Sequence, residues 1–140
     1  MNSPPIERVV TILLPEGRET QGTLRAWEES PSDPELVRIE LKLDGDTIAR
    51  EAEEGFFDAL CEIRRTLESE GKLLSCYGSS RNVFPSPMIR SMGYAEKAYR
   101  LELGKNAEIE DLVSIFDTGP DVEAVSCSEQ EAFYQTWLKS

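Results

Sequence analysis

Alternation of apolar and polar positions is clearest between Glu35 and Leu43. Val37, Ile39, Leu41 and Leu43 face one way, and Arg38, Glu40 and Lys42 face the other. A period of two is that of a strand with one buried face. Asp44-Gly45 follows as a two-residue hairpin signal, with Asp46–Ala49 as a short return strand. Upstream, Ile6–Leu14 is β-branched and apolar enough for a strand and ends at the turn residues Pro15-Glu16-Gly17. Thr20–Trp27 predicts a second strand, weakened by Gly22, and residues 30–34 (SPSDP) predict a loop. Together these segments predict an antiparallel meander with one wet face.

The period changes in the middle of the chain. Phe56, Phe57, Leu60, Ile63 and Leu67 recur at helical spacing, which predicts one long helix over Ala52–Glu70. Glu53 and Glu54 suit its opening turn, and Gly71 supplies the stop. Lys72–Tyr77 then reads as a strand, Gly78–Asn82 as a turn, and Pro85-Ser86-Pro87 as a break in regular structure. Met88–Met92 predicts one helical turn closed by Gly93. Ala98–Leu103 predicts a strand with Tyr99, Leu101 and Leu103 on its buried side. Leu112–Phe116 is a short strand or helical turn. Ser128-Glu129-Gln130-Glu131 matches a capping box and predicts a terminal helix that docks through Phe133, Trp137 and Leu138. The expected fold is α+β: a mostly antiparallel sheet packed against one long helix, with a C-terminal helix as a second brace.

A chain of 140 residues with 39% hydrophobic and 30% charged residues fits one domain, residues 1–140, with a real core. It contains no histidine, which removes Ser-His-Asp and Cys-His catalysis and most catalytic zinc and non-haem iron sites. The net charge of −12 argues against nucleic acid, whose phosphates need clustered Lys and Arg. No apolar run is long enough for a membrane span. The opening MNSPPIERVV lacks the basic-then-apolar layout of a signal peptide. Cys61, Cys76 and Cys127 form no CxxC pair and read as reduced, buried thiols. The expectation is therefore a cytoplasmic protein without metal or cofactor.

The acidity is segregated. Residues 1–63 hold 6 Lys+Arg and 15 Asp+Glu, residues 64–105 hold 8 and 4, and residues 106–140 hold 1 and 8. Within the first acidic block, Glu28, Glu29, Asp33, Glu35, Asp44 and Asp46 are the candidate contacts for a basic protein partner, through charge complementarity. Within the basic middle, Ser79, Ser80, Arg81, Asn82 and Arg90 form an alternative anion-binding set, using backbone N–H groups and guanidinium forks. The competing reading pairs those cations with the acidic flanks. No P-loop and no GxGxxG is present. Ile115-Phe116-Asp117-Thr118-Gly119 resembles the aspartic-protease signature. However, Pro120 stands where that family has a small residue, and a strand ending in a turn explains the run.

The run from Arg81 to Met88, with Met92-Gly93, Lys97-Ala98-Tyr99, Glu129-Gln130 and Trp137-Leu138, resembles a pattern of small uncharacterised bacterial cytoplasmic proteins. In overall profile, a small acidic α+β chain without catalytic furniture, the protein is similar to bacterial immunity proteins. That resemblance implies a non-enzymatic binder that neutralises a basic partner such as a nuclease-type toxin. The alternative is a small-anion-binding or minor enzymatic domain built on residues 78–100.

Overall fold

The computed structural model describes residues 4–91 and 96–140. Among the described residues the architecture is α+β, with two antiparallel sheets and three α-helices. The expected meander forms β1 (Ile6–Leu13), β2 (Glu19–Trp27), β3 (Val37–Leu43) and β4 (Asp46–Ala52). A fifth strand, β5 (Leu73–Ser75), pairs with β1 and completes the order β4-β3-β2-β1-β5. The inward residues are those the alternation predicts, for Val37, Ile39, Leu41 and Leu43 are all buried while Arg38, Glu40 and Lys42 face outward. Asp44 and Gly45, both at positive φ, make the β3–β4 turn.

Helix α1 (Phe56–Glu68) is shorter than the expected Ala52–Glu70. Ala52 is still paired to Val37 in β4, and Gly55 has φ 123°, a conformation no helical residue adopts. The helix therefore starts only after the chain has bent at Glu53-Glu54. Phe56, Leu60, Ile63 and Leu67 join Val10, Ile12, Leu24, Ile39, Leu41 and Leu74 in one apolar cluster. Burying each such side chain contributes about 1.5–3 kcal/mol before the entropy of ordering is counted.

The second half builds a separate three-stranded sheet, which the sequence reading had not distinguished from the first. Its strands are β6 (Val83–Phe84), β7 (Lys97–Arg100) and β8 (Leu112–Ser114), in the order β6-β7-β8. Residues 83–84 lie between the expected turn at Gly78–Asn82 and the Pro85 break, where the sequence pattern assigns no element. They pair with Arg100 and Tyr99 before Pro85 ends the strand. In the segment read as Ala98–Leu103, Ala98 and Leu101 are buried, Tyr99 is half-buried and Leu103 is 50% exposed. The strand ends at Arg100, so the alternation does not continue to Leu103. Between β6 and β7 lies α2 (Pro87–Ser91). Met92 and Gly93, expected to close that turn, lie outside the described residues.

Helix α3 (Cys127–Leu138) begins one cap earlier than expected. Ser126, not Ser128, accepts the Glu129 backbone N–H at 3.2 Å. Both serines precede an acid by three residues, and the one that caps the helix stands between two buried residues, Val125 and Cys127. Phe133 and Trp137 pack on the body as expected, but Leu138 is 53% exposed. Instead Tyr134 stacks on Phe84 at 4.1 Å, and the Trp137 indole donates to the Glu102 and Lys105 carbonyls.

Candidate functional site: an acidic groove between two helices

The polar face of α1 does not simply meet solvent. Together with the end of β4, β6, Arg90 of α2 and the first turn of α3, it walls a groove of about 1080 Å³. Its carboxylates are Glu51, Glu53, Glu54, Asp58, Glu62, Glu68 and Glu131, set against Arg65 and Arg90, with Phe57, Phe84, Cys61 and Cys127 supplying the less polar surface. Asp58, Cys61, Glu62 and Arg65 fall three and four residues apart, so one helical face presents them all. Cys61 and Cys127 are each only 9% exposed.

One cation already occupies this wall. The Arg90 guanidinium donates to both Asp58 carboxylate oxygens, at 2.5 and 3.3 Å. Its carbon lies 5.8 Å from the Phe57 ring centroid and 5.7 Å from that of Phe84. A fork-to-carboxylate pair flanked by two aromatic faces is strong recognition geometry for a guanidinium. The Asp58 hydrogen bonds push the Arg90 pKa up, so the group stays charged. Phe57 and Phe84 meet edge to face at 5.0 Å, which fixes both rings.

Glu51 pins the neighbouring loop. Ser30 and Ser32 donate their hydroxyls to its Oε2 (2.7 Å from Ser32), and these bonds hold the carboxyl below its ordinary range. The β2–β3 loop carrying Glu28, Glu29, Asp33 and Glu35 is thereby anchored at the groove end of the sheet. Asp44, in the β3–β4 turn, and Asp46, the first residue of β4, sit at the opposite end of β3. Seven residues of strand separate the two groups, a distance of about 20 Å. The six acidic candidates are therefore two clusters and not one surface.

The alternative anion set does not converge. Ser79 and Ser80 are fully buried, with the Ser79 hydroxyl donating to Leu74 O at 2.5 Å and the Ser80 hydroxyl accepting Glu123 N–H at 2.9 Å. Asn82 donates to the Leu101 carbonyl. Arg81 pairs with Glu123 at 3.1 Å and Glu129 at 3.5 Å, and Arg90 pairs with Asp58. The backbone N–H groups of residues 78–81 already donate to Ile115, Cys76, Tyr77 and Glu123 carbonyls. These cations pair with acidic residues from the flanks, as the competing reading had it. A second cavity of about 730 Å³ has walls of both signs, and its Arg100 and Lys105 are paired with Asp121 and Glu102.

Beneath the groove lies a buried polar keystone that the sequence did not announce. Arg64 is 1% exposed, and its hydrogen bonds go to three neutral oxygens: Gln130 Oε1 at 2.5 Å, Val125 O at 2.9 Å and Gly78 O at 3.1 Å. Gln130, equally buried, donates through Nε2 to Gly78 O, Ser80 O and Val83 O. The pair ties α1, α3 and β6 together and so fixes the groove walls.

Among the described residues, no helix is long and apolar enough to cross a membrane. Asp117, of the Asp-Thr-Gly run, follows β8 at the surface and pairs with Arg8 at 3.1 Å. A scan against protein-family models finds no match to this chain, and a search of curated proteins finds none either.

Proposed function

We propose that this chain is a non-enzymatic cytoplasmic binding protein that neutralises a basic protein partner, in the way an immunity protein blocks a nuclease-type toxin. In this reading α1 is the long helix braced on the antiparallel sheet, and α3 is the second brace. The observation that carries it is the carboxylate-walled groove, whose Asp58–Phe57–Phe84 cage already receives a guanidinium. A cleft that holds the chain's own arginine has the chemistry to hold a partner's. The surrounding Glu53, Glu54, Glu62 and Glu131 would speed encounter with a cationic surface. Glu28, Glu29, Asp33 and Glu35 extend the same negative field beyond the groove end, whereas Asp44 and Asp46 lie outside it.

The test is retention of partners from host extract by the tagged protein at low salt, with elution in salt steps. A single basic protein released only at high salt supports the proposal. Binding that ignores salt, or no retention at all, overturns it. With the partner in hand, Glu53→Lys, Glu54→Lys and Glu62→Lys combined should lower the association rate about tenfold or more. Asp44→Lys with Asp46→Lys should leave it nearly unchanged.

A further inference from the structure

Cys61 stands in the middle of α1, and Cys127 is the first residue of α3, 66 positions away. Cys127 Sγ lies 3.5 Å from the Cys61 carbonyl oxygen, which brings the two cysteines together at one point of the α1–α3 seam. Both residues line the groove and keep 9% of their surface exposed, the opening through which a small solute would reach them. The seam is held in register from the other side, because the Cys127 backbone N–H donates to Glu68 Oε2 of α1 at 3.0 Å. The third cysteine differs in each respect. Cys76 is fully buried, bonded to Ser79, and lines neither cavity.

We propose that Cys61 and Cys127 are a redox pair that closes reversibly into a disulfide across the α1–α3 seam, with a small-molecule disulfide of the glutathione class as oxidant. Disulfides that form in a reducing compartment are typically transient and redox-sensing. The proposal does not depend on the binding role proposed above.

The roles of the two sulfurs follow from their surroundings. The Cys127 thiol is engaged by the Cys61 carbonyl oxygen, and the nearby Cys127 side chain, with positive potential from Arg64 and Arg65, holds the Cys61 thiol below its ordinary range. Cys127 is held protonated by the Cys61 sulfur, by burial and by Glu68. Cys61 thiolate attacks one sulfur of the oxidant, whose S–S bond breaks, and the departing thiolate takes up a proton. Cys127 then loses its proton to solvent or to the second leaving group and attacks Cys61 Sγ, which expels the second small thiol. Two protein thiols are oxidised by two electrons, and one small disulfide is reduced to two thiols.

The experiment incubates the folded full chain with oxidised glutathione at neutral pH, then unfolds it in urea containing iodoacetamide to block every residual thiol, and maps peptides by mass spectrometry without reduction. The expected product carries a Cys61–Cys127 cross-link, a single alkylated thiol at Cys76, and a mass lower by two hydrogens before alkylation. Dithiothreitol restores three free thiols. Cys76→Ser should cross-link as the parent does, while Cys127→Ser should stop at a mixed disulfide on Cys61. Three alkylated thiols after oxidation, a stable mixed disulfide in the parent chain, or linkage through Cys76 would overturn the assignment. Because the parent chain alone gives the decisive map, the outcome stands even if a variant fails to fold.

Discussion

Replacing Arg64 with methionine tests whether the buried guanidinium is the keystone its geometry implies. Methionine retains most of the apolar stem but removes donors to Gln130 Oε1, Val125 O and Gly78 O. Gly78 O keeps its bond from Gln130 Nε2 at 3.0 Å, so two acceptors lose their guanidinium donor inside the core. At about 1–3 kcal/mol for each buried group left unsatisfied, the cost is roughly 2–6 kcal/mol. That is a large part of the 5–15 kcal/mol typical of a whole domain. Arg64→Lys should recover little of it, because an ammonium cannot span three oxygens that a planar fork reaches. Gln130→Leu should cost a comparable amount. The double variant Arg64→Met/Gln130→Leu should cost less than the two together by about 1–3 kcal/mol, since each single change strands what the other removes. Urea unfolding followed by tryptophan fluorescence and far-ultraviolet circular dichroism would supply the four stabilities of the cycle. Additive effects, or a parent-like Arg64→Met, would refute the keystone.

Gly78→Ala should cost about 1–3 kcal/mol by overpacking, because a Cβ there would stand 2.7 Å from Leu60 Cδ2 and 2.9 Å from the Ile115 carbonyl oxygen. An unshifted urea midpoint would contradict the close packing of this turn against α1. Tyr77 and Asp121 should give opposite pH edges, since the tyrosine hydroxyl donates to Asp121 Oδ1 at 2.6 Å. That bond raises the Tyr77 pKa above 10.0 and lowers that of Asp121 below 3.8. The tyrosine contribution is present below its unfolded pKa and fades as pH rises through the folded one. The Asp121 contribution is present above its unfolded pKa and fades as pH falls through the folded one. Tyr77→Phe should therefore lower stability by about 1 kcal/mol or less on the plateau between the edges and converge on the parent at both extremes. A difference independent of pH would show that the bond is not what stabilises the turn.

The first half of the fold was legible because its signals are local. Val37 to Leu43 alternate without interruption, Asp44-Gly45 turns the chain, and the Phe56–Leu67 stripe keeps helical period, so neighbours in sequence carry the whole message. The second half was less legible for the complementary reason. Val83-Phe84 is a two-residue strand whose existence depends on Tyr99 and Arg100 arriving from a distant segment. Arg64 falls late in the helical stretch beside a second arginine, and nothing local marks it for burial. Its acceptors at Val125 and Gln130 lie 61 and 66 positions away, and no periodicity encodes that. The groove was hidden in the same way. Glu53 and Glu54 were visible as acidic residues, but Asp58 and Glu62 become a wall only when α3 and β6 close the other side. A usable signal did exist in Cys61, which stands beside the buried stripe and between Asp58 and Glu62 on the helix's charged side.

Helix α1 handles two guanidiniums by opposite means, and the contrast bears on how the groove would bind. Arg64 is removed from water and held by neutral oxygens, which makes it a fixed part of the core. Arg90, with its side chain 43% exposed, is held by one carboxylate and two ring faces, an arrangement that exchanges with water or with another cation at modest cost. Asp58, Cys61 and Glu62 project from the same turns whose Leu60, Ile63 and Arg64 are locked inside. The groove wall therefore cannot shift without disturbing buried apolar packing and the keystone together. A preorganised wall avoids much of the ordering entropy that binding otherwise costs. Under the proposed function, the free-energy barrier to capture would lie mainly in releasing Arg90, so Arg90→Ala should strengthen binding of an arginine-bearing partner, not weaken it.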